Sequence, residues 1–277
     1  MDNPYTAAPD IEVLPSTFEI PGYGLLAINA FVLKGKEPLL VDTGYTLESA
    51  EFMQTLRSVI DPAELKWVWL THTDHDHIGS LHQLLDEVPD LRVITTFLAV
   101  GKMTLHNPLP MDRVYFLNPG ESMSIGDRTL TAVKPPSFDA PETTGFYDDR
   151  SGAFFSSDCF GALMPSSPGQ NAADIPEQEL KDGQTLWATL DAPWLQKVDR
   201  GMFAAELKKI GQMEPKVVLS SHLPAADGRM TRRLLDTLAS APQAQPFVGP
   251  DQEGLQAMLA QMTGYPGGVL CRWPFVE

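Results

Sequence analysis

Only two cysteines, Cys159 and Cys271, occur in 277 residues, and they form no Cys-x-x-Cys pair. That excludes a disulfide framework and a thiolate metal cage, and leaves both as free thiols. Long apolar runs are missing too. Those around Ile28–Leu33 and Trp67–Leu70 fall far short of the roughly 20 residues a membrane helix needs. The segment up to Leu25 has no basic start followed by an apolar block, so no export signal is expected and the cytoplasm is the expected compartment. Positive charge is scarce: 20 Lys and Arg face 36 Asp and Glu, a formal charge of −16. Nucleic acids and anionic membranes bind through cationic excess and counterion release, so neither is an expected partner.

What the chain does have is a dense knot of polar groups. Trp67–Ser80 reads WVWLTHTDHDHIGS, and its stretch Thr71–His77 packs three imidazoles and two carboxylates directly behind an apolar run that reads as a buried strand. Clustered Asp and His at a buried strand end cost several kcal/mol each unless a cation compensates them. Gly79 and Ser80 then let the chain turn into a helix.

Around this knot the pattern alternates strand and helix. Ile11–Gly22 and Leu25–Val41 read as a β-meander ending in Val41-Asp42-Thr43-Gly44, and Leu47–Val59 as an amphipathic helix. After the ligand loop come a helix through about Leu85, a strand at Arg92–Thr95, a helix at Leu98–His106 and a strand at Val114–Leu117. Strands are expected at Leu130–Val133 and Gly152–Ser156. Gly161–Asp182, rich in Pro, Ser, Asn and Asp, reads as a long irregular excursion covering a site, with Met164, Trp187 and Trp194 shaping its pocket. Helices are expected at Trp194–Met213, Thr231–Ser240 and Gln252–Met262, and a strand at Pro215–Ser220. The Leu255, Met258, Leu259 and Met262 stripe reads as core. No linker divides the chain, so residues 1–277 are expected to form one domain, with a helical extension over about 243–277.

Four apolar strands run into metal-capable side chains: Leu70 into His72, Val133 into Asp139, Phe155 into Asp158 and Leu219 into His222. Four such ends, one of them carrying the His-x-Asp-x-Asp-His cluster, point to a shared site rather than to isolated structural histidines. Asp42 is read as a group that orients a metal-bound His, the alternative being a turn cap. His75 is a candidate ligand or proton donor, with a solvent-facing position favoured. His82 and His106 read as surface residues, Tyr147 and Asp148 as structural, and Cys159 as packing.

These motifs resemble those of the metallo-β-lactamase superfamily over nearly the whole chain. Thr71, His72, Asp76, His77 and Gly79 match its Thr-His-x-His-x-Asp-His-x-Gly motif, and Asp74 stands at the second His. An acidic residue there is similar to the oxygen-binding diiron and flavodiiron branch, which typically has Glu. Phe155-Ser156-Ser157-Asp158-Cys159-Phe160-Gly161 resembles that branch's segment around a bridging Asp, and Ser221-His222-Leu223-Pro224 resembles the segment of its last His. Asp139-Ala140-Pro141-Glu142-Thr143 aligns on His-Trp-Pro-Asp-Ser, with Asp139 in place of a ligand His.

The resemblance implies a four-layer αββα sandwich of the α/β (α+β) class. It also implies two divalent metal ions, one held by His72, Asp74 and Asp139, the other by Asp76, His77 and His222, with Asp158 bridging. A carboxylate-rich set with open coordination suits iron first, with zinc or manganese as alternatives. The expected chemistry is binding or reduction of O2 or NO. Nothing after His222 resembles a phosphate-cradling loop for FMN, so electrons would come from a separate donor protein. The alternatives are a hydrolase acting on an ester, lactone, thioester or phosphoester through a metal-bridging hydroxide, and a non-catalytic sensor of a diatomic ligand.

Overall fold

A computed structural model describes residues 1–262; Cys271 and the end of the expected 243–277 extension lie outside the described residues. The first sheet opens with an antiparallel meander of β1 (Tyr5–Ala8), β2 (Ile11–Ile20), β3 (Gly24–Leu33) and β4 (Leu39–Val41). It continues in parallel through β5 (Trp67–Trp69), β6 (Arg92–Thr95) and β7 (Val114–Phe116). Parallel neighbours need crossovers, and α1 (Ser49–Val59), α2 (Leu81–Glu87) and α3 (Phe97–Thr104) lie on them.

The second sheet is built from β8 (Ser122–Ile125), β9 (Arg128–Val133), β10 (Gly145–Asp148) and β11 (Ala153–Phe155), after which β12 (Leu163–Met164) returns to pair with β3. Then follow α4 (Glu177–Asp191), α5 (Arg200–Gln212), β13 (Val217–Leu219), β14 (Ala226–Asp227), α6 (Thr231–Ser240) and α7 (Gln252–Met262). The order is β14-β13-β11-β10-β9-β8, with β11 and β13 parallel.

Period-two alternation sorts these strands into layers. Phe31 and Leu33 of β3 join Trp69, Leu130, Phe146, Phe155 and Leu219 between the sheets, where Phe146 stacks on Phe155 at 4.3 Å. Their neighbours Ala30 and Val32 pack with Phe52, Leu56, Leu84 and Val100 from α1–α3. On the other side, Phe154 and Val218 pack with Leu180, Phe203 and Leu234 from α4–α6. Each large side chain fully buried this way contributes about 1.5–3 kcal/mol. The layers are therefore helix, sheet, sheet, helix, the expected αββα sandwich. Among the described residues no helix is long and apolar enough to cross a membrane.

Three expectations fail locally. The Gly161–Asp182 stretch is not irregular throughout, since it contains β12 and the first turns of α4. That helix buries Leu180, Gly183, Gln184, Trp187 and Ala188, and the glycine and glutamine on its inner face hide the apolar period. In the α7 stripe Leu255 and Leu259 are not core, at 46% and 40% exposed, and the Met262 side chain lies outside the described residues. His82 is half-buried rather than at the surface.

Asp148 is structural as expected. Fully buried, it takes Nη1 of Arg128 at 2.8 Å and the Ser151 hydroxyl at 2.5 Å.

Candidate metal centre

The site forms where the C-terminal ends of β4, β5, β9, β11 and β13 meet, because each strand leads straight into one of the polar loops. Asp42, just after β4, ties the loop behind β5. Its Oδ1 accepts from Thr71 N at 2.8 Å, and its Oδ2 accepts from Thr71 Oγ1 at 2.8 Å and from His77 Nδ1 at 2.9 Å. Thr43 clamps the same loop by donating its N–H and hydroxyl to the His77 carbonyl. Gly79 has no tolerance for a side chain, since a Cβ would lie 2.3 Å from the Tyr45 carbonyl carbon. Two non-glycine residues here hold left-handed backbone, Asp42 at φ 56° and Ser157 at φ 53°. Such conformations cost about 1 kcal/mol or more and persist where surrounding bonds over-determine them.

All three imidazoles are 1% exposed and engaged on the outer nitrogen. His77 Nδ1 donates to Asp42, and His222 Nδ1 donates to the Ala27 carbonyl at 2.7 Å. His72 Nδ1 lies 3.2 Å from both Thr71 Oγ1 and Ser157 Oγ. This fixes the rings with their Nε2 atoms turned inward, as a hydrogen bond on the far nitrogen does for a metal-bound histidine. Asp158, 4% exposed, stands among them: Oδ1 is 3.2 Å from Nε2 of both His77 and His222, and Oδ2 is 3.4 Å from Nε2 of His72. Asp76 Oδ2 faces His77 and His222 at 3.4 and 3.5 Å.

Despite this closeness, Nε2 of His72, Nε2 of His77 and Oδ1 of Asp158 are buried without a hydrogen-bond partner. Converging orphaned donor atoms of this kind are costly in a protein alone. Divalent cations satisfy all of them together, so the residues fit a metal. The clusters His72/Asp74/Asp139, His72/His77/Asp158 and Asp76/His77/His222 each bring ligand atoms within 4.8 Å of one another.

The first cluster is the looser one. His72 Nε2 is 3.9 Å from Asp139, whose side chain is 23% exposed. Asp74 is 47% exposed, and its Oδ1 lies 3.7 Å from the Lys102 ammonium on α3. Lys102 is itself paired with the buried Glu142, which also accepts from Thr73 Oγ1. Lys134 steadies the loop before β10 by donating to the carbonyls of Pro141 and Thr143, both at 2.9 Å. If Asp139 faces the metal, Asp139→His is expected to keep or tighten metal at this position, up to about tenfold by equilibrium dialysis. An unfolded variant would place Asp139 in a purely structural role.

Without metal, protons do the compensating. Burial opposes charge at every group here, yet Asp76, Asp158 and Asp42 raise His77, and Asp158 with Asp76 raises His222 to about 9. His72, His222 and His77 in turn hold Asp158 well below the usual carboxylate range, as His77 and His222 do for Asp76. Raised histidines stabilise the fold fully below their unfolded value of 6.5 and lose that contribution as pH climbs through the folded value near 9. The lowered aspartates stabilise above 3.8 and lose it as pH falls below. Asp191, raised to about 8, works against the fold as pH climbs from 3.8, so denaturant melts of metal-free protein should lose stability as pH rises and lose it further between about pH 6.5 and 9 as the histidines deprotonate, a decline that added metal removes.

Sequence reasoning missed one member of the site. Asp191, the last residue of α4, has a carboxylate oxygen within 4.8 Å of those of Asp139 and Asp158. Burial, then Asp158 and Asp139, push it up to about 8. Trp187, one helical turn earlier, packs on His222 with ring centroids 4.7 Å apart and donates Nε1 to the Asp158 carbonyl at 3.1 Å. Trp194 donates to the Phe138 carbonyl beside Asp139 at 2.7 Å. Both tryptophans thus border the site, whereas Met164, expected beside them, is buried in the outer core. His75 is exposed, 6.1 Å edge-on from His106, and joins none of the clusters. Cys159 is buried, and burial lifts its thiol to about 12, in keeping with packing.

An αββα sandwich with imidazoles and carboxylates gathered at the strand ends of both sheets defines a protein of the metallo-β-lactamase class. Within that class the chain belongs to the ODP beta-lactamase family, whose model matches residues 26–190. Among curated relatives, the anaerobic nitric oxide reductase flavorubredoxin of Salmonella typhi is 30% identical over 134 residues, 48% of this chain and 28% of that protein. A flavorubredoxin homologue of Escherichia coli O157:H7 is 28% identical over the same length, 33% of its own chain. The chain thus matches about a third or less of these relatives. Among solved structures, rubredoxin oxygen:oxidoreductase of Desulfovibrio gigas superposes with a TM-score of 0.75 at 16% identity, over 88% of this chain and 63% of that one. A mutant flavo di-iron protein from Thermotoga maritima gives 0.74 at 22%, over 90% and 65%. Both likenesses speak to the fold.

Proposed function

We propose that this chain is a non-haem diiron protein that binds or reduces O2 or NO with electrons from a separate donor. The observation that carries the reading is Asp158, whose two carboxylate oxygens face different histidines, Oδ1 toward His77 and Oδ2 toward His72. On this reading His72, Asp74 and Asp139 hold one iron, Asp76, His77 and His222 hold the other, and Asp158 bridges. Iron is favoured over zinc because carboxylates outnumber imidazoles and the second position is a two-histidine carboxylate set. The names of the curated relatives, nitric oxide reductases, point the same way.

Bound iron would supply one-electron chemistry with a diatomic ligand. The chain's own part is to hold the ligand set rigid and dry. Asp42 and the Ala27 carbonyl fix the tautomers of His77 and His222 so that each offers a lone pair inward. Trp187 covers His222 on the α4 side and keeps water from that flank. A formal charge of −16 suits docking of a basic electron donor.

Elemental analysis of protein purified without chelators tests this reading. Two equivalents of iron, a near-ultraviolet charge-transfer band and a spectral change when reduced protein meets O2 in stopped flow are expected. Stoichiometric zinc with esterase or lactonase turnover would overturn it in favour of hydrolysis. Iron-loaded protein that binds NO but never turns over would reduce it to a sensor.

A further inference from the structure

We propose that Lys102, seated on Glu142, is a positioning residue for the first iron: it aims the Asp74 carboxylate and supplies the positive charge that keeps this carboxylate-rich position reducible. The proposal rests on the dinuclear reading above. Each imidazole of the centre is held on its far nitrogen, by Asp42, by the Ala27 carbonyl or by the Thr71 and Ser157 hydroxyls. Asp74 has no such anchor. Its side chain is 47% exposed, and its one charged partner among the described residues is Lys102, whose Nζ lies 3.7 Å from Oδ1. A carboxylate that offers one oxygen to a metal keeps its direction only when a neighbour holds it, as ligating carboxylates generally are held.

Lys102 can serve as that neighbour because it is itself fixed. Its ammonium pairs with Glu142, whose side chain is fully buried. Glu142 accepts from Thr73 Oγ1 at 2.9 Å, on the ligand loop between His72 and Asp74, and its carbonyl accepts from Thr96 Oγ1 at 3.4 Å, at the cap of α3. One carboxylate thus ties together α3, the ligand loop and the loop that carries Asp139. A buried anion binds its cation far more firmly than a surface pair does, so a half-exposed lysine keeps a set place beside Asp74.

Charge supplies the other half of the argument. The first position has two carboxylates of its own, Asp74 and Asp139, against the single imidazole of His72, whereas the second has Asp76 against the imidazoles of His77 and His222. Negative ligands favour Fe3+ over Fe2+, so the first iron would be the harder of the two to reduce. Lys102 stands on that flank. Burial opposes its charge, but Glu142, Asp74 and Asp139 raise it, and the ammonium stays protonated. Lys134, the other cation nearby, is engaged by the carbonyls of Pro141 and Thr143. Lys102 is therefore the cation placed to offset the carboxylates of the first position.

The double variant Lys102→Met/Glu142→Gln removes the cation without leaving a buried anion unpaired, and Lys102→Arg keeps the charge. Each protein would be loaded with Fe2+ anaerobically. Its two Fe2+ affinities would be measured by titration, and its two one-electron midpoints by redox titration followed by electron paramagnetic resonance. The step that Asp139→His moves marks the first position. In the double variant that position is expected to lose Fe2+ affinity about tenfold, and its midpoint to fall by about 59 mV if the loss is confined to Fe2+. The second position is expected to stay as it is, and Lys102→Arg to remain close to wild type at both. If the double variant does not fold, Lys102→Gln, at a side chain 45% exposed, is expected to move the same midpoint in the same direction. An ion pair that merely ties α3 to its neighbours would lower stability and leave both midpoints unchanged; that result, or an equal shift at both positions, would overturn the proposal. A wild type that takes up fewer than two Fe2+ would instead defeat the dinuclear reading on which it rests.

Discussion

Replacing Asp158 with alanine is expected to strip the protein of both metal ions, with affinity at each position falling at least about a hundredfold. The expectation follows from one carboxylate serving two sets of histidines: Oδ1 is 3.2 Å from His77 and His222 Nε2, and Oδ2 is 3.4 Å from His72 Nε2. No other described carboxylate faces all three rings. Its removal also leaves the protons on His77 and His222 without the charge that holds them, and breaking a buried charge pairing typically costs about 3–5 kcal/mol. Stability and metal content must therefore be measured separately. Asp158→Asn keeps the shape and the neighbouring backbone bonds while losing the anion, so a folded Asn variant without metal isolates the bridging role. Retention of two metals by either variant, measured by elemental analysis after desalting, would refute it.

Much of this site could be read in the chain because each of its main members follows an apolar strand within a few residues. Leu70 before His72, Phe155 before Asp158 and Leu219 before His222 are local signals, and β5, β11 and β13 form where those runs lie. The layers were equally legible, since Phe31 and Leu33 alternate with Ala30 and Val32 at strand period. Asp191 carried no such signal. Its place in the pocket depends on α4 crossing the second sheet, and α4 itself was hidden because Gly183 and Gln184 interrupt its buried face. Gly183 is there for packing: a Cβ would lie 2.4 Å from the Leu163 carbonyl oxygen. Lys102 and Glu142 illustrate the same limit. Their ion pair joins α3 to the loop after β9, residues 40 apart in the chain, and only the folded topology puts it beside Asp74.

Asp42→Asn is the second substitution with a large expected effect, and it should act on one metal rather than two. In the native protein both Asp42 oxygens accept hydrogen bonds, Oδ1 from Thr71 N and Oδ2 from Thr71 Oγ1 and His77 Nδ1. An asparagine has only one accepting oxygen. If that oxygen stays with Thr71 N, the amide NH2 faces His77 Nδ1, which must become an acceptor, and the proton moves to Nε2. The lone pair that would reach the second metal is then lost. Should the amide turn the other way, its NH2 meets the Thr71 N–H and the ligand loop must open. Either route is expected to weaken the second metal by about 10–100-fold, while the first position, whose His72 leans on Thr71 and Ser157 hydroxyls, keeps most of its affinity. Asp42→Ala adds a separate penalty, since alanine at φ 56° lacks the side-chain bonds that hold this backbone. The comparison decides between an orienting carboxylate and a turn cap. A cap would lose stability in both variants yet leave the metal affinity of folded Asp42→Asn unchanged, because nothing in capping the turn requires a particular tautomer of His77.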